Sequence, residues 1–112
     1  MKSDRVYLEY ILERIKRIEE DITAGRDSFM NSHTIQDAIL RNLQTLAESC
    51  QRLSEQFKQS HSEVEWKKLG AFRNVLAHDY LGIDLNQIWV VVTRDVPELK
   101  IKIKHSLTMF PD

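Results

Sequence analysis

An all-α fold, an antiparallel bundle of four helices, is what this sequence predicts. Apolar residues recur every three or four positions through most of the chain, so each segment buries one helical stripe and wets the other. Only 3 Gly and 2 Pro interrupt 112 residues. One segment alone, LKIKIKH at 99–105, alternates apolar and basic residues like a strand, and it has no partner strand.

The first helix is expected over residues 3–24, with Leu8, Ile11, Ile15, Ile18 and Ile22 on its apolar side and Gly25 as its stop. The second carries Ile39, Leu43, Leu46, Cys50, Leu53 and Phe57. Ser32 or Thr34 is placed to accept from the free N–H groups of its first turn. The polar stretch KQSHSE, 58–63, reads as a connection. A third helix over about 64–79 buries Trp66, Leu69, Phe72, Val75 and Leu76, and Gly82 breaks it. Asp84 caps a fourth that opens LNQIWVVV and turns Leu85, Ile88, Trp89 and Val92 inward. Pro97 lacks an N–H and clashes with the preceding turn, so it kinks or interrupts that helix. Residues 99–105 are read as its continuation. No repeat, low-complexity tract or linker divides the chain, and residues 1–112 are expected to form one helical domain. Apolar surface left over on so small a bundle points to a homodimer.

Composition narrows the function. With 16 basic and 17 acidic side chains the net charge is −1, so no global field recruits nucleic acid. Any RNA or DNA contact must come from a local site. Cys50 is the only cysteine, which excludes an intrachain disulfide and a cysteine metal cluster. The first twenty residues are charged every few positions, and the longest apolar run, near IWVVV, is far short of a bilayer span. A cytoplasmic protein with no membrane partner is expected.

Chemistry gathers in RNVLAHDY, residues 73–80. Arg73 offers a planar fork of donors matched to phosphate oxygens. His78 can take and give a proton near neutrality. Asn74, four residues before it, can hold one imidazole nitrogen, and Tyr80 can stack on a base or donate to phosphate. At about 100° per residue, Arg73 and His78 lie about 140° apart on a straight helix. They converge only if Arg73 reaches around, if the helix ends near His78, or if two subunits each supply a part. Each residue also has a purely structural alternative: His78 against terminal carbonyls, Arg73 solvated or paired with a carboxylate, Tyr80 as a core aromatic with a wet hydroxyl.

The spacing Arg73-x-x-x-x-His78-x-Tyr80 resembles the motif of HEPN-domain ribonucleases, specifically the HepT toxins. HTIQDAILRNLQTLAES before it, WKKLGAFRN leading into it and IDLNQIWVVVTRDVPELK after it extend the likeness over nearly the whole chain. The resemblance implies a HEPN-like bundle, a homodimer formed through the motif helices, and a composite cleft holding both copies of the motif. It implies metal-independent RNA cleavage with Arg73 and His78 catalytic, Asn74 supporting, and no cofactor. It also implies a partner, a minimal nucleotidyltransferase antitoxin that silences the toxin by adding AMP to Tyr80. The alternative is a non-catalytic subunit that holds nucleotide or substrate for such a nucleotidyltransferase.

The remaining candidates are weaker. His33, His61, His78 and His105 include no pair at i+3 or i+4, so metal-ligand spacing is lacking. Arg41 and Asn42 could line the same cleft, with a solvated face as the simpler role for Arg41 and a buried hydrogen bond for Asn42, while Asp37 could orient an Arg or simply face water. Lys100, Lys102, Lys104 and His105 form a modest basic cluster that could guide RNA. Trp66 and Trp89 read as core anchors, and no base is spaced near Cys50 to make it a nucleophile.

Overall fold

Residues 3–110 are described by a computed structural model, which leaves the side chain of Tyr80 outside the described atoms. Helix α1 (Asp4–Asp21) begins where the Ser3 hydroxyl accepts from the Val6 N–H, and it buries Leu8, Ile11, Ile15 and Ile18. A short α2 (Arg26–Asn31) follows Gly25, whose φ of 93° and ψ of 177° suit only glycine. Helix α3 (His33–Gln51) is capped by Ser32, whose hydroxyl accepts from Ile35. It lies antiparallel to α1. Asp4 at the start of α1 meets Ser54 just beyond the end of α3, while Asp21 at the end of α1 accepts from Asn42.

The second expected helix is shorter than its apolar spacing suggested. It stops at Gln51, and Phe57 belongs to a separate α4 (Glu55–Ser60). The break is set from outside, because the Asp4 carboxylate takes both the N–H and the hydroxyl of Ser54, while the Ser54 hydroxyl caps Phe57. Half of the expected connection 58–63 is therefore helical. Phe57 packs against Trp66, Phe110 and the His61 ring, whose Nδ1 meets the Phe57 carbonyl at 3.0 Å.

Helix α5 (Trp66–His78) leans on α3. Gly70 permits the approach, since a Cβ there would sit 3.1 Å from the Gln51 amide. Leu76 is buried and Leu69, Phe72 and Trp66 are partly so, but Val75, expected in the core, is 42% exposed on the opposite side. A 3-10 turn, Tyr80–Gly82, follows. Helix α6 (Leu85–Val90) is capped by Asp84 as expected and passes through one π-helical turn (91–95) into α7 (Val96–Leu107).

Pro97 falls in the first turn of α7, where its missing N–H costs nothing, and the extra residue is absorbed by the π turn just upstream. The stretch 99–105 is helical, with Leu99 and Ile103 buried. Thus α1, α3, α5 and α6–α7 form the expected bundle, with α1 packed on both α3 and α7. Its α5–α7 edge is open: a groove of about 560 Å³ runs there over Leu43, Leu46, Leu69, Phe72 and Leu99. Among the described residues no helix is long and apolar enough to cross a membrane.

Candidate active site

Helix α5 is the local concentration of positive charge that the composition denied to the molecule as a whole. Trp66–His78 carries Lys67, Lys68, Arg73 and His78 and no acidic residue, in a chain where acids outnumber bases. Two of its faces carry the motif. Asn74 and His78, one turn apart, are both exposed on the side away from α3. Arg73, three residues beyond Gly70 and three before Leu76, lies on the side that meets α3 and is half-buried.

The Arg73 Nε is buried without a hydrogen-bond partner, and no carboxylate pairs with its guanidinium among the described residues. A buried donor left unmatched costs about 1–3 kcal/mol, so such a group stands ready for an anionic acceptor. His78 is the last residue of α5, and Asp79 ends the helix with φ −130°. Of the three routes to convergence, the helix end near His78 is present. It also removes the shared helical face that a straight helix would have given Arg73 and Tyr80. Asn74 makes no hydrogen bond to His78 in this arrangement, both side chains standing free among the described residues.

After His78 the chain folds back tightly. The Gly82 N–H donates to the Asp79 carbonyl at 3.1 Å, and a Cβ on Gly82 would lie 2.5 Å from Asp79 Oδ2. The Asp79 carboxylate is thus turned over the glycine. Tyr80 opens this turn, and its side chain lies outside the described residues. The sequence signal for this turn was present in Asp79 and Gly82, but nothing in their types reveals that one lies on the other.

The other candidates separate. Arg41 and Asp37 are exposed. Asn42 is buried and bridges α3 to α1, accepting from Arg14 Nη1 at 3.3 Å and donating to Asp21 at 3.4 Å. Arg14, which no sequence motif marks, also lies over the Tyr10 ring at 4.7 Å. The basic tail is dispersed: Lys100 pairs with Glu19 at 2.8 Å, and Lys102 donates to the Glu63 carbonyl. Trp89 packs on Phe29, and Trp66 donates its indole N–H to the carbonyls of Lys58 and His61. Burial pushes the Cys50 thiol up to about 12, which removes it as a nucleophile. Among the described residues no three His, Cys, Asp or Glu side chains gather as metal ligands.

A family model described as ribonuclease HepT-like matches residues 8–106. A Caldanaerobacter subterraneus subsp. tengcongensis protein named as a candidate RNase is 31% identical over 108 residues, 96% of either chain. A probable ribonuclease HepT of Thermococcus cleftensis is 33% identical over 104 residues, covering 92% of this chain and 94% of its own. A Methanocaldococcus jannaschii protein named gamma-glutamylcyclotransferase and candidate RNase is 36% identical over 105 residues. The match takes in 91% of this chain but only 46% of that longer protein. No solved structure matches. By the extent of the family match and by these identities, the chain belongs to the ribonuclease HepT-like family, a family of RNA-cleaving enzymes.

Proposed function

We propose that this protein is the toxin of a type VII-like toxin–antitoxin pair, a metal-independent endoribonuclease working through Arg73 and His78 at a dimer cleft. The observation that carries the reading is the state of Arg73 and His78. An uncommitted guanidinium in the body of α5 and an exposed imidazole at its last residue share a helix that carries no acid. In the reaction the 2′-OH of RNA attacks the adjacent phosphorus and the bond to the 5′-oxygen breaks, giving a cyclic phosphate and a 5′-OH. His78 moves a proton, as base from the 2′-OH or as acid to the leaving oxygen. Arg73 stabilises the extra negative charge of the transition state. Asn74, one turn from His78, orients the imidazole once RNA is seated.

Homodimerisation is supported by the apolar surface beside the motif. Val75 is 42% exposed and Leu81 fully so. Two copies meeting there bring together what the two faces of one α5 hold apart. Control falls to Tyr80. A nucleotidyltransferase antitoxin transfers AMP from ATP to its phenolic oxygen with loss of pyrophosphate, and the bound nucleotide then excludes RNA by sterics and charge.

The test uses wild type, Arg73→Ala and His78→Ala on RNA in EDTA, with growth arrest as the parallel readout. Wild type is expected to cut and to arrest growth, and each variant to lose at least about a hundredfold in rate, the scale of a general acid–base or oxyanion contribution. If both variants match wild type, the ribonuclease reading fails and the nucleotide-holding subunit takes its place. Mass spectrometry after co-expression with the antitoxin is expected to place AMP on Tyr80; an unmodified Tyr80 in a silenced complex rejects that mode of control.

A further inference from the structure

We infer that the exposed face of α5, from His78 back to Lys67, is a track for the backbone of single-stranded RNA, with Lys67 as its far phosphate contact. The inference rests on the ribonuclease reading of the same helix. Lys67, Ala71, Asn74 and His78 are all exposed, and their spacing of four, three and four residues puts them within about 60° on one helical stripe. The stripe therefore joins a cation at one end to the proton-transfer group at the other.

Lys67 differs from the other lysines near α5. Lys68 is held by Glu65 at 2.6 Å, Lys58 by Glu55 at 3.3 Å, and Lys102 by the Glu63 carbonyl at 2.9 Å. Lys67 has no ion pair or hydrogen bond among the described residues, so its ammonium is free to meet a phosphate. The stripe is low between its ends: Ala71, a single methyl group, is the residue between Lys67 and Asn74 on it. No carboxylate on α5 repels a polyanion. Of the two acids that adjoin the helix, Asp79 is turned over Gly82 and Glu65 is paired with Lys68.

Length sets the footprint. Eleven residues at about 1.5 Å each separate Lys67 from His78 by about 16 Å along the axis. A stacked strand advances about 3.4 Å per nucleotide and a splayed one up to about twice that, so the stripe spans roughly two to five nucleotides. One helix face with one far cation suits a single strand.

The experiment measures RNA binding against salt with His78→Ala protein, which removes turnover, in the presence and absence of Lys67→Ala. Lys67→Ala is expected to flatten the log–log salt slope by about 0.7 per lysine engaged, uniformly across sequences, and Lys67→Arg to restore it. Lys16→Ala, an exposed lysine on α1, is expected to leave the slope as it was. With His78 intact, Lys67→Ala is expected to raise KM several-fold on a ten-nucleotide RNA, with the effect shrinking as the RNA shortens below five nucleotides. An unchanged salt slope overturns the track, and so does a KM effect that ignores RNA length. RNA left uncut by wild type overturns the ribonuclease reading instead, and the salt slope then still decides the track.

Discussion

Asp21 ends α1 with its carboxylate drawn against α3, where Asn42 donates to it. Burial raises its pKa above the ordinary 3.8, the Asn42 hydrogen bond opposes this, Glu20 adds to it and Arg17 subtracts. A folded-state pKa above the unfolded one means that the native state binds the proton more tightly. The stabilising contribution is therefore complete below pH 3.8 and is lost as pH rises through the raised value. Asp21→Asn keeps an acceptor for Asn42 and removes the charge. Urea unfolding of the two proteins between pH 3.5 and pH 6, a range taken as about two units above the ordinary carboxylate value, checks the sign. The variant is expected to gain on wild type as pH rises, and parallel pH profiles reject the assignment. At the same scale, the sequence singled out Arg73 and His78 as candidates but not the state of either. That Arg73 loses its Nε to the α3 seam without an acceptor depends on how closely Gly70 lets two helices approach.

At the scale of elements, the long helices were legible because each buries one stripe of regularly spaced Leu and Ile. What escaped the reading was decided by contacts distant in sequence or by rare hydrogen bonding. The end of α3 depends on Asp4, 50 residues from Ser54. Helix α2 has six residues, too few to show a period. The π turn before Pro97 shifts one bond by a residue, with the Val96 N–H reaching the Val91 carbonyl. Gly25 separates backbone from packing cleanly. A Cβ there meets nothing within 4 Å, yet its φ of 93° is barred to other residues. Gly25→Ala is thus expected to cost about 1–3 kcal/mol in chemical denaturation, from backbone strain alone. A neutral result shows that the α1–α2 link relaxes to another conformation at no cost.

At the scale of the whole molecule, the surface predicts its own partner. Val75 within the motif and Leu81 just after it leave apolar area exposed. The double variant Val75→Asp, Leu81→Asp places charges there without touching the core. Sedimentation is expected to show wild type as a dimer at micromolar concentration and the variant as a monomer, a weakening of at least about a hundredfold for two buried charges. RNA cleavage falls with it if each cleft needs both copies. A monomeric wild type, or a variant that still dimerises, moves the interface elsewhere.

The open α5–α7 edge bears on folding as well as on shape. Helix α5 leans on α3 and contributes one fully buried side chain, Leu76, whereas α3 contributes eight buried residues. A helix held on one flank detaches at a fraction of the free energy that unfolds the whole chain. Whatever grips α5, whether RNA, a second copy or a modifying partner, is then linked by mass action to the helix's own opening equilibrium. The residues proposed for catalysis therefore stand on a helix less deeply anchored than α3.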